Sequence, residues 1–250
     1  MSYIKLETKG PVAHIRFNRP DKWNAMHEDL LKELSRILDQ TAADPAIRLL
    51  VLTGEGKAFS SGVDLKALQS LDTVDDAKRF AVMLEETSEK IFLHPKPVVA
   101  VINGLALGGG FGFATAADIR IASAGALISY PAVKLGAILP AGCTVLLESI
   151  VGRAKAMDLL LTGKKLTAAE ALETGLVDYV FDEEKLWEET DKIIRMILEG
   201  GDTALQLTKK TVNYRTAFFL NAVKMYAPDN FAYLSQTPDW HNRLKNFGKK

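Results

Sequence analysis

Three consecutive glycines, residues 108–110, follow a strongly apolar stretch and are the part of the chain best suited to chemistry. The stretch, residues 97–103, is rich in β-branched residues and predicts a buried strand. Residues 111–117 predict a buried helix. Glycines at this junction allow a ligand to approach the backbone, because no Cβ stands in the way. The first N–H groups of a helix have no partner inside it, so they can bind a developing negative charge.

A second junction of the same kind lies earlier in the chain. Residues 49–53 predict another buried strand, and small residues and glycines fill residues 54–65. Two such turns facing one cavity would form an oxyanion hole, with two backbone donors for one carbonyl oxygen. For either turn alone, tight helix–strand packing is the commoner explanation. The spacing of the glycines and serines excludes a dinucleotide fingerprint, a phosphate-binding P-loop and a nucleophile elbow.

Composition narrows the possible partners. The 250 residues include 31 basic and 31 acidic side chains, so no overall positive charge attracts nucleic acid or an anionic membrane. The single cysteine, Cys143, excludes an internal disulfide and fits a reducing compartment. The four histidines lack metal-ligand spacing, so we expect no metal site. The first residues do not resemble a secretory signal and no stretch predicts a membrane span, so we expect a cytoplasmic protein.

The pattern of elements indicates an α/β fold. Residues 4–8 and 12–17 alternate as a hairpin, and residues 27–42 form an amphipathic helix. Strands and helices then alternate to about residue 185, which predicts an α/β core domain over residues 1–185. The remaining residues, 186–250, predict a helical region.

Several segments resemble one family. Residues 58–65 and 103–110 are similar to the two oxyanion turns of the crotonase (enoyl-CoA hydratase/isomerase) superfamily. Residues 17–26 and 161–177 resemble further parts of the same family, in the same order. The resemblance implies a crotonase-like spiral of ββα units with a C-terminal helical region that assembles a homotrimer or homohexamer.

The resemblance also implies a substrate and a site. An acyl-CoA thioester would bind, and its carbonyl oxygen would accept hydrogen bonds from the backbone N–H groups of Ser61 and Gly109. Coenzyme A is then part of the substrate, and no separate cofactor is implied. Besides Ser61 and Gly109, the implied substrate-binding residues are Lys22, Trp23, Ala25, Lys57, Asp64 and Leu65.

The acid and base groups are where this chain departs from the family. Gly112 and Ala132 stand where hydratases carry glutamates, and Pro140 lies near a third carboxylate position. Since general acid and base groups contribute about 10²–10⁴-fold each, we expect isomerisation or other acyl-CoA chemistry rather than simple hydration. On the helix predicted over residues 73–93, Glu85 or Glu86 is the candidate for a single proton shuttle. The small residues at positions 112 and 132 predict room for a bulkier acyl group.

Two other functions remain open at this stage. The chain could be a non-catalytic acyl-CoA-binding homologue that kept the oxyanion turns and lost the acids. It could also be an assembly subunit that works through its C-terminal helices. Binding and turnover of thioesters distinguish the three.

Overall fold

The computed structural model describes residues 2–139 and 141–246. Its strands are β1 (Ile4–Lys9), β2 (Val12–Phe17), β3 (Leu49–Gly54), β4 (Ala58–Ser60), β5 (Val98–Ile102), β6 (Leu105–Leu107), β7 (Ile119–Ser123), β8 (Leu127–Ser129), β9 (Lys165–Thr167) and β10 (Tyr179–Phe181). Its helices are α1 (Glu28–Ala43), α2 (Leu65–Gln69), α3 (Val74–Phe92), α4 (Gly109–Thr115), α5 (Ala141–Thr162), α6 (Ala168–Glu173), α7 (Leu186–Leu198), α8 (Asp202–Val223), α9 (Ala227–Ser235) and α10 (Pro238–Asn246). Two short 3-10 helices cover Pro20–Lys22 and Ala132–Leu135.

The strands form two mixed sheets. The larger has the order β1-β2-β3-β5-β7-β10, and the smaller has the order β4-β6-β8-β9. In the larger sheet only the β1–β2 hairpin is antiparallel, whereas the smaller sheet ends in an antiparallel β8–β9 pair. The predicted α/β fold and hairpin are confirmed.

The larger sheet is covered on both faces, which explains why β3 and β5 are continuous apolar runs. Alternate residues such as Leu50 and Leu52 belong to the main core with α1 and α3. Val51 and Val99 face the opposite side and pack with Ile193 of α7. Helix α7 therefore covers the second face of the larger sheet, whereas α8–α10 contribute buried residues to the main core.

The smaller sheet was not predicted as a separate element. β6 begins directly after Gly104, where any Cβ would overlap the carbonyl oxygen of Lys57. The glycine thus allows residues 104–107 to pair beside β4. The following helix, α4, begins at Gly109, two residues before the predicted start.

A partly buried ion pair connects α8 to the larger sheet. Lys209 Nζ lies 2.8 Å from Asp118 Oδ2, and the same ammonium donates to Lys96 O at 3.2 Å. Asp118 Oδ2 also accepts the N–H of Val98 at 2.7 Å. Burial raises the pKa of Asp118 and lowers the pKa of Lys209, so each group depends on the other to remain charged.

The predicted division into a core domain, residues 1–185, and a helical region, residues 186–250, stays a prediction.

Within the two described ranges, none of the helices combines the length and apolar character needed to cross a membrane. The same ranges contain no cluster of three or more His, Cys, Asp or Glu side chains able to hold a metal ion.

Candidate active site

A cavity of about 370 Å³ lies where the turns after β4 and β6 meet the turn after Pro20–Lys22. Residues 131–139 and helices α2, α3 and α9 supply the remaining walls. The wall is largely apolar and includes Leu65, Leu84, Leu107, Ile138, Leu139 and Phe231. Such a cavity suits a ligand with an alkyl portion.

The two turns predicted to form the oxyanion hole touch each other at this cavity. A methyl group on Gly62 would lie 2.7 Å from Leu107 O and 3.6 Å from the backbone nitrogen of Gly109. A methyl group on Gly109 would lie 3.8 Å from Val63 Cγ2. Only glycine at position 62 permits this close approach.

Two backbone N–H groups at this junction are unpaired. Among the described residues, neither the N–H of Val63 nor the N–H of Gly109 has a hydrogen-bond acceptor, and both residues line the cavity. Each follows a glycine with positive φ, which is +91° at Gly62 and +52° at Gly108. In both turns, a glycine with positive φ therefore directly precedes the residue with the unpaired N–H.

The pairing of Val63 with Met26 explains the direction of its N–H. Met26 N donates to Gly62 O and Asp64 N donates to Met26 O, both at 2.8 Å, which is the pattern of a parallel bridge. In such a bridge the N–H of the central residue points away from its partner. The N–H of Val63 is thus directed away from Met26.

Ser61 does not have the free donor that its predicted role requires. Its N–H donates to Trp23 O at 2.8 Å, and the next N–H, that of Gly62, donates to Ser60 Oγ at 3.1 Å. In this turn the unpaired N–H is thus that of Val63, two residues after Ser61. Gly109, the other predicted donor, has an unpaired N–H and lines the cavity.

The predicted substrate-binding residues are mostly brought together. Lys22, Trp23, Ala25, Asp64 and Leu65 all line the cavity. Trp23 is 51% exposed, which places it at the mouth. Lys57 is exposed and is absent from the cavity wall formed by the described residues.

Asp64 is held in place by two sets of contacts. Its Oδ2 lies 3.1 Å from Arg19 Nη2, and its Oδ1 accepts the N–H of Lys66 at 3.0 Å as the cap of α2. Both partners hold the carboxylate as an acceptor, which favours a role in fixing the turn. In the described ranges, the other ionisable residues that line the cavity are Asp21 and Lys22.

The two candidate proton shuttles on α3 differ in their surroundings. Glu85 is buried, and its Oε2 accepts the N–H of Gly142 at 3.0 Å, at the beginning of α5. Glu86 is exposed on the outer side of α3. Neither belongs to the cavity wall formed by the described residues, although the neighbouring Leu84 does.

The missing glutamate at residue 112 has not left empty space. Any Cβ on Gly112 would overlap Cys143 Sγ, so the thiol fills this position. The prediction of a larger acyl pocket is therefore wrong at residue 112, whereas Ala132 does line the cavity. Burial raises the pKa of the Cys143 thiol well above its ordinary value, so the thiol stays protonated. The third predicted position, Pro140, lies outside the described residues.

Comparisons with known proteins all point to one family. Residues 7–250 match the family model of enoyl-CoA hydratase/isomerase. A short-chain-enoyl-CoA hydratase of Clostridium acetobutylicum is 31% identical over 251 residues, covering 100% of this chain and 96% of the relative. A putative enoyl-CoA hydratase of Thermus thermophilus is 36% identical, covering 97% and 96%. The crystal structure of an enoyl-CoA hydratase from Bacillus halodurans superimposes with a TM-score of 0.92 at 28% identity, covering 98% and 100%.

Proposed function

The chain belongs to the enoyl-CoA hydratase/isomerase family, and on that premise we propose that its cavity binds an acyl-CoA thioester whose oxygen is bound by the N–H groups of Val63 and Gly109. The observation that carries the proposal is the pair of unpaired N–H groups on touching turns. Loss of one such donor typically costs about 3–4 kcal/mol of transition-state stabilisation. The chain would thus stabilise an enolate or a related oxyanion.

The two ends of the cavity suit the two ends of such a thioester. The exposed ring of Trp23 and the ammonium of Lys22 lie at the mouth, where they can meet the nucleotide and phosphates of coenzyme A. The apolar wall around Leu84, Leu139 and Phe231 can enclose the acyl chain.

For the reaction, we propose isomerisation or another enolate-forming conversion rather than simple hydration. Hydration needs a group that activates water and a group that protonates carbon, and these groups are usually carboxylates or histidines. In the described part of the wall, the carboxylates are Asp21 and Asp64, and Asp64 is held by Arg19 and the α2 cap. The relatives named hydratases favour the opposite assignment, and turnover of defined esters decides between the two.

Glu85 remains the proposed proton shuttle, and Glu86 is the weaker candidate. Glu85 is buried directly beside the lining residue Leu84, whereas Glu86 faces solvent. A single carboxylate can move a proton between two carbons of an enoyl group, whereas hydration needs two groups. For Glu85 to do so, its side chain would have to turn from Gly142 N toward the cavity.

The test is a panel of 2-enoyl-, 3-enoyl- and saturated acyl-CoA esters, followed by absorbance of the conjugated thioester and by mass of the product. We expect interconversion of the 3-enoyl and 2-enoyl esters with no gain of water. Faster formation of the hydroxyacyl ester would overturn the reaction assignment. Failure to bind any ester would overturn the acyl-CoA site itself.

A non-catalytic acyl-CoA-binding protein is the second candidate. It is favoured by Gly112, whose place is filled by Cys143, and by Ala132, because neither position supplies a carboxylate. Calorimetric binding of the esters without turnover of any of them would select this candidate. Asp64 and Gly109 would then serve binding alone.

The homotrimer or homohexamer and the cytoplasmic location stay predictions. Helix α8 exposes several large apolar side chains that a partner subunit could cover: Leu207, Val212, Tyr214, Phe218 and Phe219. Light scattering of the purified protein measures the assembly directly.

A further inference from the structure

Asn24 is completely buried between the mouth of the cavity and the turn that carries Val63. Its Nδ2 donates to Ala58 O at 2.7 Å and to Glu55 O at 3.0 Å. Its Oδ1 accepts the N–H of Arg19 at 2.9 Å. The side chain therefore joins the turn at the cavity mouth (the mouth turn, residues 19–24) to residues 55–58. These residues lead into the turn that carries Val63 (the donor turn, residues 61–64).

The backbone carbonyl groups of Trp23 and Asn24 also bind the residues directly before Val63. Asn24 O accepts the hydroxyl of Ser60 at 2.8 Å, and Ser60 Oγ in turn accepts the N–H of Gly62 at 3.1 Å. Trp23 O accepts the N–H of Ser61 at 2.8 Å. Ser60 and Ser61 are thus tied directly to Asn24 and Trp23, and Gly62 is tied to Asn24 through the Ser60 hydroxyl.

Ser60 also touches the second donor turn. A methyl group on Gly110 would lie 2.6 Å from both Cβ and Oγ of Ser60, and 2.7 Å from its carbonyl oxygen. Since Gly110 directly follows Gly109, any displacement of Ser60 would disturb both proposed donors.

The mouth turn has an unusual backbone. Trp23 and Asn24 have φ values of +52° and +55°, and among the described residues they are the only two non-glycine residues with positive φ. Asparagine tolerates this conformation, whereas a bulky side chain such as tryptophan disfavours it. The hydrogen bonds of Asn24 hold the turn in this shape, and a ligand that packs on Trp23 would stabilise it further.

We propose that Asn24 is a positioning residue through which binding of the coenzyme A end of the thioester at Trp23 fixes the orientation of the Val63 donor. The inference rests on the proposed function. Contacts far from the reacting carbonyl would then improve its polarisation, as happens when remote binding energy is used in the transition state.

The test uses a chromophoric arylacryloyl thioester, whose absorbance shifts to the red when its carbonyl accepts strong hydrogen bonds. It is bound as the coenzyme A ester and as the N-acetylcysteamine ester, which lacks the nucleotide. In the unaltered protein we expect a larger red shift for the coenzyme A ester.

Two variants interrupt the connection. Asn24→Asp removes the two Nδ2 donors and keeps the size of the side chain, and Ser60→Ala removes only one hydroxyl. In each variant we expect the red shift of the coenzyme A ester to fall to that of the short ester. Asn18→Asp is the matched control, because the Asn18 side chain donates to Ser2 O on the surface. Circular dichroism confirms folding, and Ser60→Ala decides the question if Asn24→Asp does not fold.

The outcomes separate the two proposals. Equal shifts for both esters in the unaltered protein, or an unchanged shift in folded Ser60→Ala, overturn the role of Asn24 and leave the acyl-CoA site intact. Absence of any red shift in the unaltered protein overturns the oxyanion hole, and with it this inference.

Discussion

The thiol of Cys143 occupies the position where the side chain of any other residue at Gly112 would begin. The two residues lie on neighbouring helices, α4 and α5, and both are buried. The space beside the Cα of Gly112, where a side chain would begin, is thus filled by one sulfur atom. The close fit makes the pair testable by a double-mutant cycle.

Gly112→Ala alone should destabilise the protein by about 1–3 kcal/mol, because the new methyl group overlaps Cys143 Sγ. Adding Cys143→Ala should recover most of that loss, since the Cβ atoms would then lie 3.4 Å apart. Urea denaturation of the two single variants and the double variant measures the coupling. Simple addition of the two single effects would contradict the contact.

Gly62→Ala should reduce turnover, or carbonyl polarisation, by about 10²–10³-fold. At φ +91° the added methyl group would lie 2.7 Å from Leu107 O and push the donor turns apart. Gly175→Ala is the control: its φ is +71°, but nothing lies within 4 Å of the added methyl group. Both variants carry backbone strain, so an equal loss of activity in both would argue against a specific role for Gly62.

Phe231→Leu should shift the preferred acyl chain to greater length. Phe231 lines the cavity and packs edge-to-face on Trp240 with ring centroids 5.2 Å apart, so a smaller side chain there opens the wall. Each additional buried methylene is worth about 0.8 kcal/mol, or roughly fourfold in Kd. Calorimetry with a series of saturated acyl-CoA esters measures this. Phe218→Leu, at an exposed position on α8, should leave the series unchanged.

The stability of the protein should fall in mild acid because of His94. Burial, reinforced by the charge of Lys209, lowers the pKa of His94 from 6.5 to about 4. The neutral ring thus contributes its full stability above pH 6.5, and this contribution is lost as the pH falls from 6.5 towards 4. Between pH 7 and pH 5 we expect a loss of about 2 kcal/mol from this one group.

Comparison of His94→Gln with the unaltered protein isolates that contribution. The variant should show a free energy of unfolding that depends less on pH over this interval, when measured by urea denaturation at several pH values. His241→Gln, at an exposed position, should keep the original dependence. A steep loss that persists in His94→Gln would assign the effect to other groups.

The buried strands of the larger sheet and the glycine turn that carries Gly109 could be predicted from the sequence, because each depends on local patterns. Buried runs such as residues 49–53 and the glycines around Gly109 carry their signal within a few residues. The unpaired N–H of the earlier turn could not be located in the same way. Whether Ser61 or Val63 has a free N–H depends on pairing with Trp23 and Met26, which are distant in sequence.

The surroundings of the positions that lack glutamates could not be predicted from the sequence either. The absence of a carboxylate at Gly112 is visible in the sequence, but its filling by Cys143 depends on how α4 meets α5. Glu85 and Glu86 are adjacent on α3, and only the rotation of that helix decides which one is buried. A glycine directly before each unpaired N–H, at Gly62 and Gly108, is a sequence signal that could have suggested Val63.

The ion pair between Asp118 and Lys209 affects the stage of synthesis at which the chain can fold. Asp118 stands at the start of a central strand, whereas its cation arrives only with α8, late in synthesis. Until residue 209 has left the ribosome, the nascent sheet holds this carboxylate without its ion-pair partner, which opposes its burial. The core should therefore consolidate only when most of the polypeptide has been made, and shortened chains that end before α8 should not reach the native state.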